Sequence, residues 1–411
     1  MNTTFSLPRG FPKFQTVAVL VCLLVSIVLR ASEFERQQVA SANIGFGFKL
    51  LKEIVKEQPG GNVFISPYGA STVLQMACNG AGGETKSEMQ RVLGTTGLAL
   101  DVVNGANMDF YRALNGKDTN IILNIANALW YQKSTQATHA FVTSCQQFFG
   151  ATVDGIDFMN PNSVEIINAW ASDKTHGRIS RIADGMIDPL TELFLANAVY
   201  FKGKWKDPFE KKNTKDHVFH LRGGQQKKLP MMEQARKFDY RRGSGYQAVR
   251  LAYQGWSLGM YVFLPDPNSS PEKLVSIMNG DNWQRITKPG FSRREGTLVL
   301  PKFKLEYGVE LNRPLMSLGI KTAFTEKADF SGISDRSLFI SKARQKTFVQ
   351  IDEQGTEAAA VTGLTIEAAG PEIDPPKPFE MIVDRPFLFL IEDQGTGTIL
   401  FMGVIYDPGA S

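Results

Sequence analysis

The sequence predicts an α+β fold, because helical patterns dominate its first part and short apolar strands its second. Apolar residues recur at helical spacing in several segments before residue 176. From residue 192 onward, short apolar runs alternate with turns rich in glycine and proline. Helices followed by strands favour α+β over alternating βαβ units. The length of 411 residues would allow two or three domains, yet no linker, charge block or repeat divides the chain after residue 40.

In chain order, the predicted helices come first. They cover residues 46–55, 67–78, 84–93, 141–149 and 164–176, with a strand at 121–131. Gly82-Gly83 opens the third of these helices, and Gly177 ends the last one. The predicted strands that follow are 192–201, 218–221, 246–251, 259–264, 296–305, 347–352 and 387–392.

Residues 1–31 are predicted to form a secretory signal peptide. Arg9 and Lys13 precede an apolar run of 13 residues at 17–29, whereas a membrane span needs about 20. A short anchor that is never cleaved is the alternative. We therefore expect a secreted, extracellular protein, or a periplasmic or cell-surface one if the source is bacterial. Cleavage would remove three basic residues and no acid, which leaves 42 basic against 41 acidic residues and a net charge of +1.

The composition and motifs exclude several classes of protein. Three Cys and four His argue against a disulfide scaffold and a metal centre. The sequence has no glycine-rich loop of the kind that binds phosphate groups, and no cofactor is predicted. Cys78 and Cys145 lie in apolar, helix-like stretches, so two buried free thiols are favoured over a bridge. No Gly-x-Ser-x-Gly motif is present, and His217 and His220 have no evident acid or Cys partner, so no enzyme is predicted.

The basic pairs of the chain are expected to be dispersed over a solvated surface, with a glycosaminoglycan or nucleic-acid site as the alternative. No basic cluster stands out in the sequence, so neither a nucleic-acid partner nor a membrane partner after signal removal is predicted. The pairs are Lys211-Lys212, Lys227-Lys228, Arg241-Arg242 and Arg293-Arg294.

Residues 355–386 differ from an ordinary loop. The segment is very long for a loop in a compact domain, and its first half has no proline and few charges. With a period of two, one face carries only small or uncharged residues, namely Thr356, Ala358, Ala360, Thr362 and Leu364. Such a face could enter a sheet without clashes or a buried charge, and Gly355 allows a sharp bend in front of it. An alanine-rich helix is the alternative.

Six segments carry the resemblance to a known family. They are 62–67 (Asn-Val-Phe-Ile-Ser-Pro), 197–205 (Asn-Ala-Val-Tyr-Phe-Lys-Gly-Lys-Trp), 300–303 (Leu-Pro-Lys-Phe), 330–333 (Phe-Ser-Gly-Ile), 353–362 (Glu-Gln-Gly-Thr-Glu-Ala-Ala-Ala-Val-Thr) and 383–389 (Val-Asp-Arg-Pro-Phe-Leu-Phe). In this order and spacing they resemble the motifs of the serpins, which are inhibitors of serine proteases.

The resemblance implies a single serpin domain over residues 40–408, with three β-sheets and eight or nine helices. It implies an exposed reactive loop, about 355–379, that can insert into the central sheet. A protease that cuts this loop is trapped as an acyl-enzyme, so the chain would act as a suicide substrate. A strand of about 14 residues spans roughly 48 Å. That is close to the diameter of about 54 Å expected for about 380 residues, so insertion would carry the protease to the opposite pole.

The resemblance also implies roles for individual residues. The hinge of the loop comprises Glu353, Gly355, Thr356, Glu357, Ala358, Ala359, Ala360 and Thr362. Glu353 corresponds to the acid at the base of the loop, Lys302 to its basic partner, and Trp205 packs beside them at the top of the sheet. Ser66 and Asn197 correspond to a gate in the middle of the sheet. Two departures occur there, because Gly69 replaces a common Ser and Gln345 replaces a common His, which leaves inhibitory efficiency open.

Counting from Glu353 puts the reactive bond between Ala369 and Gly370, or between Ala368 and Ala369 one residue earlier. A cut between Leu364 and Thr365 is a further rival, which would shorten insertion and favour substrate behaviour. Either of the first two bonds presents a small apolar side chain, which suits elastase-like or subtilisin-like enzymes. The expected partner is therefore a serine protease, with a cysteine protease as the alternative, and the inhibitor itself is expected to be a monomer. A non-inhibitory serpin, acting as a carrier or chaperone, is the rival function.

Overall fold

The computed structural model describes residues 32–115, 121–185, 187–255, 257–287, 290–356 and 377–410. Nine α-helices lie in these residues: α1 (Glu33–Glu57), α2 (Pro67–Asn79), α3 (Gly83–Leu93), α4 (Leu100–Leu114), α5 (His139–Phe149), α6 (Ser163–Lys174), α7 (Pro271–Ile277), α8 (Gly280–Thr287) and α9 (Asn312–Leu318). The strands are β1 (Val63–Ile65), β2 (Ile121–Gln132), β3 (Thr152–Ile156), β4 (Leu193–Lys204), β5 (Lys215–His220), β6 (Gln226–Gly243), β7 (Tyr246–Ala252), β8 (Leu258–Pro265), β9 (Ser292–Pro301), β10 (Phe303–Glu310), β11 (Ile340–Asp352), β12 (Gly355–Thr356), β13 (Phe379–Ile382), β14 (Phe387–Asp393) and β15 (Thr398–Ile405).

The strands form two hydrogen-bonded sheets. The six-stranded sheet, called the central sheet below, has the order β10-β11-β12-β4-β2-β3. The nine-stranded sheet has the order β1-β15-β14-β8-β7-β6-β9-β13, with β5 beside β6. The 18-residue strand β6 belongs to two parts of that sheet, because its first residues pair with β5 and its last with β7. If the nine-stranded sheet is divided at β6, the described residues contain three sheets. The predicted α+β architecture, with three sheets and eight or nine helices, is confirmed.

The central sheet is covered on both faces. On one face it packs against the nine-stranded sheet, where the rings of Phe201 in β4 and Phe401 in β15 lie 5.8 Å apart. On the other face, Ala198 of β4 shares a buried cluster with Ile167 of α6. A strand buried on both sides has no solvent-facing positions, which explains the nearly unbroken apolar sequence of β4.

One predicted strand is two strands in the structure. The run 296–305 divides at Lys302 into β9, which belongs to the nine-stranded sheet, and β10, which pairs with β11 in the central sheet. The amide of Lys302 donates to the carbonyl of Pro230 at this crossing. Lys302 is therefore fixed at the point where the chain passes from one sheet to the other.

The two predicted free thiols are confirmed. Cys78 and Cys145 are both buried and unbridged. Burial raises the pKa of Cys78 to about 11 and that of Cys145 to about 12, so neither thiol is reactive near neutral pH. In the described part of the chain, no helix is both long and apolar enough to cross a membrane. No three His, Cys, Asp or Glu side chains of that part are grouped as a metal site requires.

Candidate functional site

The chain reverses direction where β11 ends, at the edge called here the top of the central sheet. Residues 353 and 354 form the turn, after which β12 runs back antiparallel to β11, with Gly355 opposite Asp352. The other side of β12 pairs with β4, where Thr356 lies opposite Gly203. The main chain of these two residues therefore forms the start of a strand between β11 and β4.

Gly355 is required by both conformation and space. Its φ of 138° lies in the region that favours glycine, and the residue is buried. A Cβ at this position would collide with the carbonyl oxygen of Gly203 and would lie 2.8 Å from the amide nitrogen of Trp205. The missing side chain thus permits β12 to lie against the end of β4.

Glu353 fixes the turn through an ion pair between its buried carboxylate and the partly exposed side chain of Lys302. Only 4% of the surface of Glu353 is exposed, and its carboxylate oxygens lie 3.0 and 2.9 Å from Lys302 Nζ. The hydroxyl of Thr214 donates a further hydrogen bond of 2.8 Å. Burial acts to raise the pKa of Glu353, but the hydrogen bonds from Lys302, a backbone amide and Thr214 outweigh it and lower the pKa below its usual value.

Trp205 contacts the main chain of the same turn. It is 1% exposed and stacks on Tyr253, with ring centroids 4.5 Å apart. Its Nε1 donates to the Asp352 carbonyl at 3.0 Å, and its amide donates to the Gln354 carbonyl at 2.9 Å. The structure therefore brings Glu353, Lys302 and Trp205 to one turn, although the indole binds the backbone and not the Glu353 carboxylate.

The gate residues form a buried amide network in the middle of the sheet. Gln345 of β11 and Asn197 of β4 are directly paired, and Gln345 Nε2 donates to Asn197 Oδ1 at 2.7 Å. The same Nε2 donates to the Ser66 carbonyl, and Gln345 Oε1 accepts from the Ser66 amide, both at 2.8 Å. Asn197 Nδ2 in turn donates to Asn127 Oδ1 of β2 at 2.8 Å. The network therefore links three strands to the start of α2.

Ser66 reaches the gate through its backbone. Its hydroxyl caps α2 by accepting a hydrogen bond from the Gly69 amide, whereas its main-chain amide and carbonyl bind Gln345. A Cβ at Gly69 would collide with the Asn197 side-chain amide. A serine at position 69 therefore could not fit unless Asn197 moved.

Direct pairing of β11 with β4 closes the sheet below β12. This seam, as we call it, comprises eight residue pairs from Ile340 opposite Leu193 to Phe348 opposite Tyr200. The rings of Tyr200 and Phe348 lie 5.8 Å apart on the face covered by α6. Anything that enters between β11 and β4 must separate this ring pair and the Gln345–Asn197 hydrogen bond.

Several predicted site residues lie outside the described residues. For Thr356 the structure describes the main chain only. The predicted site residues outside the described part of the chain are the hinge residues Glu357, Ala358, Ala359, Ala360 and Thr362 and the two candidate reactive bonds, Ala369–Gly370 and Ala368–Ala369.

Two residues of the site were not predicted. Asn127 could have been predicted from the sequence, because an Asn inside the apolar run 121–131 needs a buried hydrogen-bond partner. Thr214 could not have been predicted from the sequence. It lies in an irregular segment beside the short 3₁₀ turn Lys211–Asn213, and only the tertiary fold brings it to Glu353.

The family follows from comparison with known proteins. The family model described as Serpin (serine protease inhibitor) matches residues 41–408. The chain belongs to the serpin family. The predicted family and its fold are thereby confirmed, and the family is one of protease inhibitors rather than catalysts.

Proteins similar to this serpin include two named as inhibitors and a thyroxine-binding globulin. It is 34% identical over 408 residues to plasminogen activator inhibitor 1 of Bos taurus, covering 95% of this chain and 99% of the relative. It is also 34% identical to leukocyte elastase inhibitor of Bos taurus, covering 90% and 100%. Native tengpin, a thermophilic serpin, matches with a TM-score of 0.81 and 29% identity over 90% and 94% of the two chains. Human thyroxine-binding globulin matches with a TM-score of 0.83 and 26% identity over 92% and 100%.

Proposed function

We propose that this serpin is secreted and inhibits serine-type endopeptidases as a suicide substrate. The observation that carries the proposal is the position of β12. Gly355 and Thr356 hydrogen bond to β11 on one side and to β4 on the other, so a strand that continued from them would enter the central sheet. The similarity to plasminogen activator inhibitor 1 and leukocyte elastase inhibitor supports the same function.

The proposed reaction begins as ordinary proteolysis. The hydroxyl oxygen of the protease serine attacks the carbonyl carbon of Ala369, and the bond to the nitrogen of Gly370 breaks. The hydroxyl proton passes through the base of the protease to the new amine, which leaves an ester between inhibitor and protease. Hydrolysis of that ester needs an intact oxyanion hole. Insertion of the hinge strains the protease against the far pole of the inhibitor, and hydrolysis then fails.

The register of β12 defines what the inserted strand would meet. Thr356 lies opposite both Gly203 and Ile351. A strand continued without a bulge brings residue 362 level with Asn197 and Gln345, which are themselves partners. Directly opposed residues share a face, so the hydroxyl of Thr362 would stand between the two separated amides as donor and acceptor. Thr362 would thus replace the hydrogen bond that insertion breaks.

The small side chains of the hinge suit the space they would occupy. In the same register, residues 358 and 360 come level with Phe201 and Val199, which belong to the buried cluster between the two sheets. Ala358 and Ala360 add little volume to this core and bury no charge. Insertion would replace the eight residue pairs of the seam with two ladders of backbone hydrogen bonds, one on each side of the inserted strand. The free energy of these additional hydrogen bonds would drive the reaction.

The proposed target prefers a small residue before the cut. Ala369, or Ala368 in the rival register, would fit the shallow pocket of an elastase-like or subtilisin-like protease. The only basic residue in 355–379 is Lys377, and Pro378 follows it, which disfavours a trypsin-like target. The name of the relative leukocyte elastase inhibitor agrees with this preference.

A non-inhibitory carrier is the second candidate function. The similarity to thyroxine-binding globulin favours it, because that protein was crystallised with thyroxine. The hinge weighs against it, since a chain that never inserts its loop has no need for small, uncharged residues at 356, 358, 360 and 362.

The test is incubation of the secreted protein with an elastase-like protease, with trypsin as the matched control. We expect an SDS-resistant adduct with the first enzyme and a released peptide that begins at Gly370. A peptide that begins at Ala369 instead would move the reactive bond by one residue and leave the mechanism intact. Complete cleavage with no adduct from any of a panel of serine proteases would overturn the proposal and favour the carrier.

A further inference from the structure

The segment 175–192, which joins α6 to β4 and is called the strap here, is fastened to α6 by one side chain. The carbonyl oxygen of the Asn168 side chain accepts hydrogen bonds from the amides of Ile182 and Ala183, at 2.8 and 2.9 Å. Its Nδ2 donates to the Ala183 carbonyl at 3.0 Å. These three hydrogen bonds fix the middle of the strap to the helix.

Helix α6 packs mainly over the strands on one side of the seam. Ile167 and Ala171 of α6 share a buried cluster with Ala126 of β2 and Ala196 of β4, whereas the described residues of β11 contribute only Phe348 to it. The strap continues directly into β4. The helix, the strap and β4 therefore belong to one side of the seam, and β11 belongs to the other.

An ion pair crosses the seam from the strap to β11. Asp184 Oδ2 accepts a hydrogen bond from Arg344 Nη2 at 2.9 Å. Arg344 lies opposite Ala196 where β11 pairs directly with β4. The side chain of Arg344 is 17% exposed and that of Asp184 is 59% exposed. This ion pair, which we call the latch, thus ties the two sides of the seam together.

Insertion of a strand must break the latch. Neighbouring strands lie about 4.8 Å apart, so a strand that enters between β11 and β4 adds about 4.8 Å to their separation. The contact between Asp184 and Arg344 cannot survive this increase while the strap stays on α6. To preserve it, the strap would have to leave the helix and lose the three hydrogen bonds of Asn168.

A second ion pair on the same strand does not cross the seam. Lys346 of β11 lies 3.0 Å from Glu306 of β10, and the two side chains are 18% and 43% exposed. Strand β10 pairs with the edge of β11 that faces away from β4, so the spacing of these two strands does not change on insertion. The pair of Lys346 and Glu306 is therefore a matched control for the latch.

We propose that Asp184 and Arg344 are positioning residues that set how fast the cleaved loop inserts. The inference rests on the proposed inhibitory function. A contact that is present in the closed sheet and broken before insertion is complete raises the barrier to insertion. Slower insertion gives the protease more time to hydrolyse its ester with water. The latch thus keeps the seam closed before cleavage and shifts the reaction towards turnover of the inhibitor as a substrate.

The experiment measures insertion by stopped flow with an excess of an elastase-like protease. Every protein compared carries the same environment-sensitive fluorophore on Glu357→Cys, and the two native thiols escape labelling because they are buried and have raised pKa values. At saturating protease, the limiting rate of the fluorescence change reports insertion. We expect Asp184→Asn to raise this rate about two- to fivefold, and Glu306→Gln to change it by less than about 1.5-fold.

Three further measurements separate the latch from a general loss of stability. The two ion pairs are similarly exposed, so the melting temperatures of uncleaved Asp184→Asn and Glu306→Gln should differ by less than about 2 °C. The charge-swapped variant Asp184→Arg/Arg344→Asp should return the insertion rate to within about twofold of the native rate. Salt at about 0.5 M should speed native insertion and leave the rate of Asp184→Asn nearly unchanged, because screening weakens only a pair that is present.

Three outcomes would overturn the proposal. They are an unchanged insertion rate in Asp184→Asn, an equal acceleration in Glu306→Gln, and a charge-swapped variant that inserts as fast as Asp184→Asn. Insertion at an unchanged rate would overturn the latch alone and leave the inhibitory function standing. Cleavage with no fluorescence change in any of the proteins would mean that the loop does not insert, and the inhibitory proposal would then fail as well.

Discussion

Gln345 and Asn197 face each other across the pairing of β11 with β4, and the 2.7 Å hydrogen bond between their side chains joins the two strands in mid-sheet. Both residues are at most 1% exposed. Because neither amide titrates near neutrality, the closed gate should keep the same strength across physiological pH.

Gln345→Ala should destabilise the uncleaved protein by about 2–4 kcal/mol. The change leaves the Ser66 amide, the Ser66 carbonyl and Asn197 Oδ1 without their buried partner. Denaturant unfolding measures the effect. Gln350→Ala, on the same strand but only half-buried, is the control and should cost less than about 1 kcal/mol. Equal losses in the two variants would contradict the role of the gate.

Gln345→His should make stability depend on pH where the native gate does not. A buried imidazole resists charging, so its pKa falls on folding below the usual value of about 6.5. The stability of the variant is then full at pH 8 and declines as the pH falls through about 6.5. Melting curves between pH 5 and 8, compared with the native protein, check this. If the melting temperatures of the variant and the native protein change with pH in the same way, the pKa of the buried His is not lowered and the prediction is wrong.

Gly355→Ala should displace β12 from the top of the sheet. The alanine would have to adopt a positive φ, and its Cβ would collide with the carbonyl oxygen of Gly203. Gly397→Ala is a matched control, because Gly397 also has a positive φ of 68° but open space around it, and should cost about 1 kcal/mol. We expect Gly355→Ala to cost more and to reduce the yield of adduct. Equal costs would mean that close packing at Gly355 is unimportant.

Thr356→Arg should convert the inhibitor into a substrate. The main chain of residue 356 lies level with Gly203 and with Ile351, which is 1% exposed, so an arginine here would have to bury its charge as the strand enters. The protease would then escape by hydrolysis before insertion. Titration of protease activity gives the number of inhibitor molecules consumed per enzyme, which should rise several-fold. Thr356→Ser is the control and should keep the native value; an unchanged value for Thr356→Arg would rule out entry at this residue.

The turn at Glu353 should loosen in acid. Its pKa is lowered in the fold, so its stabilising effect is complete above the unfolded pKa of about 4.3 and is lost as the pH falls through the folded pKa. Glu353→Gln should therefore lower the melting temperature above about pH 5, and its difference from the native protein should shrink as the pH falls below the usual glutamate pKa of about 4.3. Glu326→Gln, at an exposed position, is the control and should follow the native curve throughout. A difference that persists unchanged to pH 3 would contradict the ion pair as its source.

The sequence predicts the parts of this fold whose pattern is local. The apolar run of β4 and the helix after Pro67 follow from periodicity and capping residues. Helix α4 was not predicted, because Asn104 and Asn107 lie on its buried face and interrupt the apolar pattern. Asn104 is satisfied there by reciprocal hydrogen bonds with Asn79 of α2, which only the packing of the two helices provides.

The candidate site could likewise be predicted from the sequence only in part. Glu353, Lys302, Ser66 and Asn197 could be selected from motifs, since each lies in one of the six segments that resemble the family, whereas Gln345 was selected as a departure from the family at the gate. Their contacts could not be predicted, because they depend on tertiary geometry. Ser66 binds Gln345 through its backbone, and Thr214 reaches Glu353 from a segment 139 residues away.

The central claim is that cleavage of the reactive loop lets the hinge enter between β11 and β4. The most direct measurement is the melting temperature before and after a single cut within residues 357–376 by a protease that is then removed. Insertion adds a hydrogen-bonded strand, so the account predicts an increase much larger than the roughly 2–4 °C that a local gain of 1 kcal/mol gives. A melting temperature that is unchanged or lower after the cut would contradict the account.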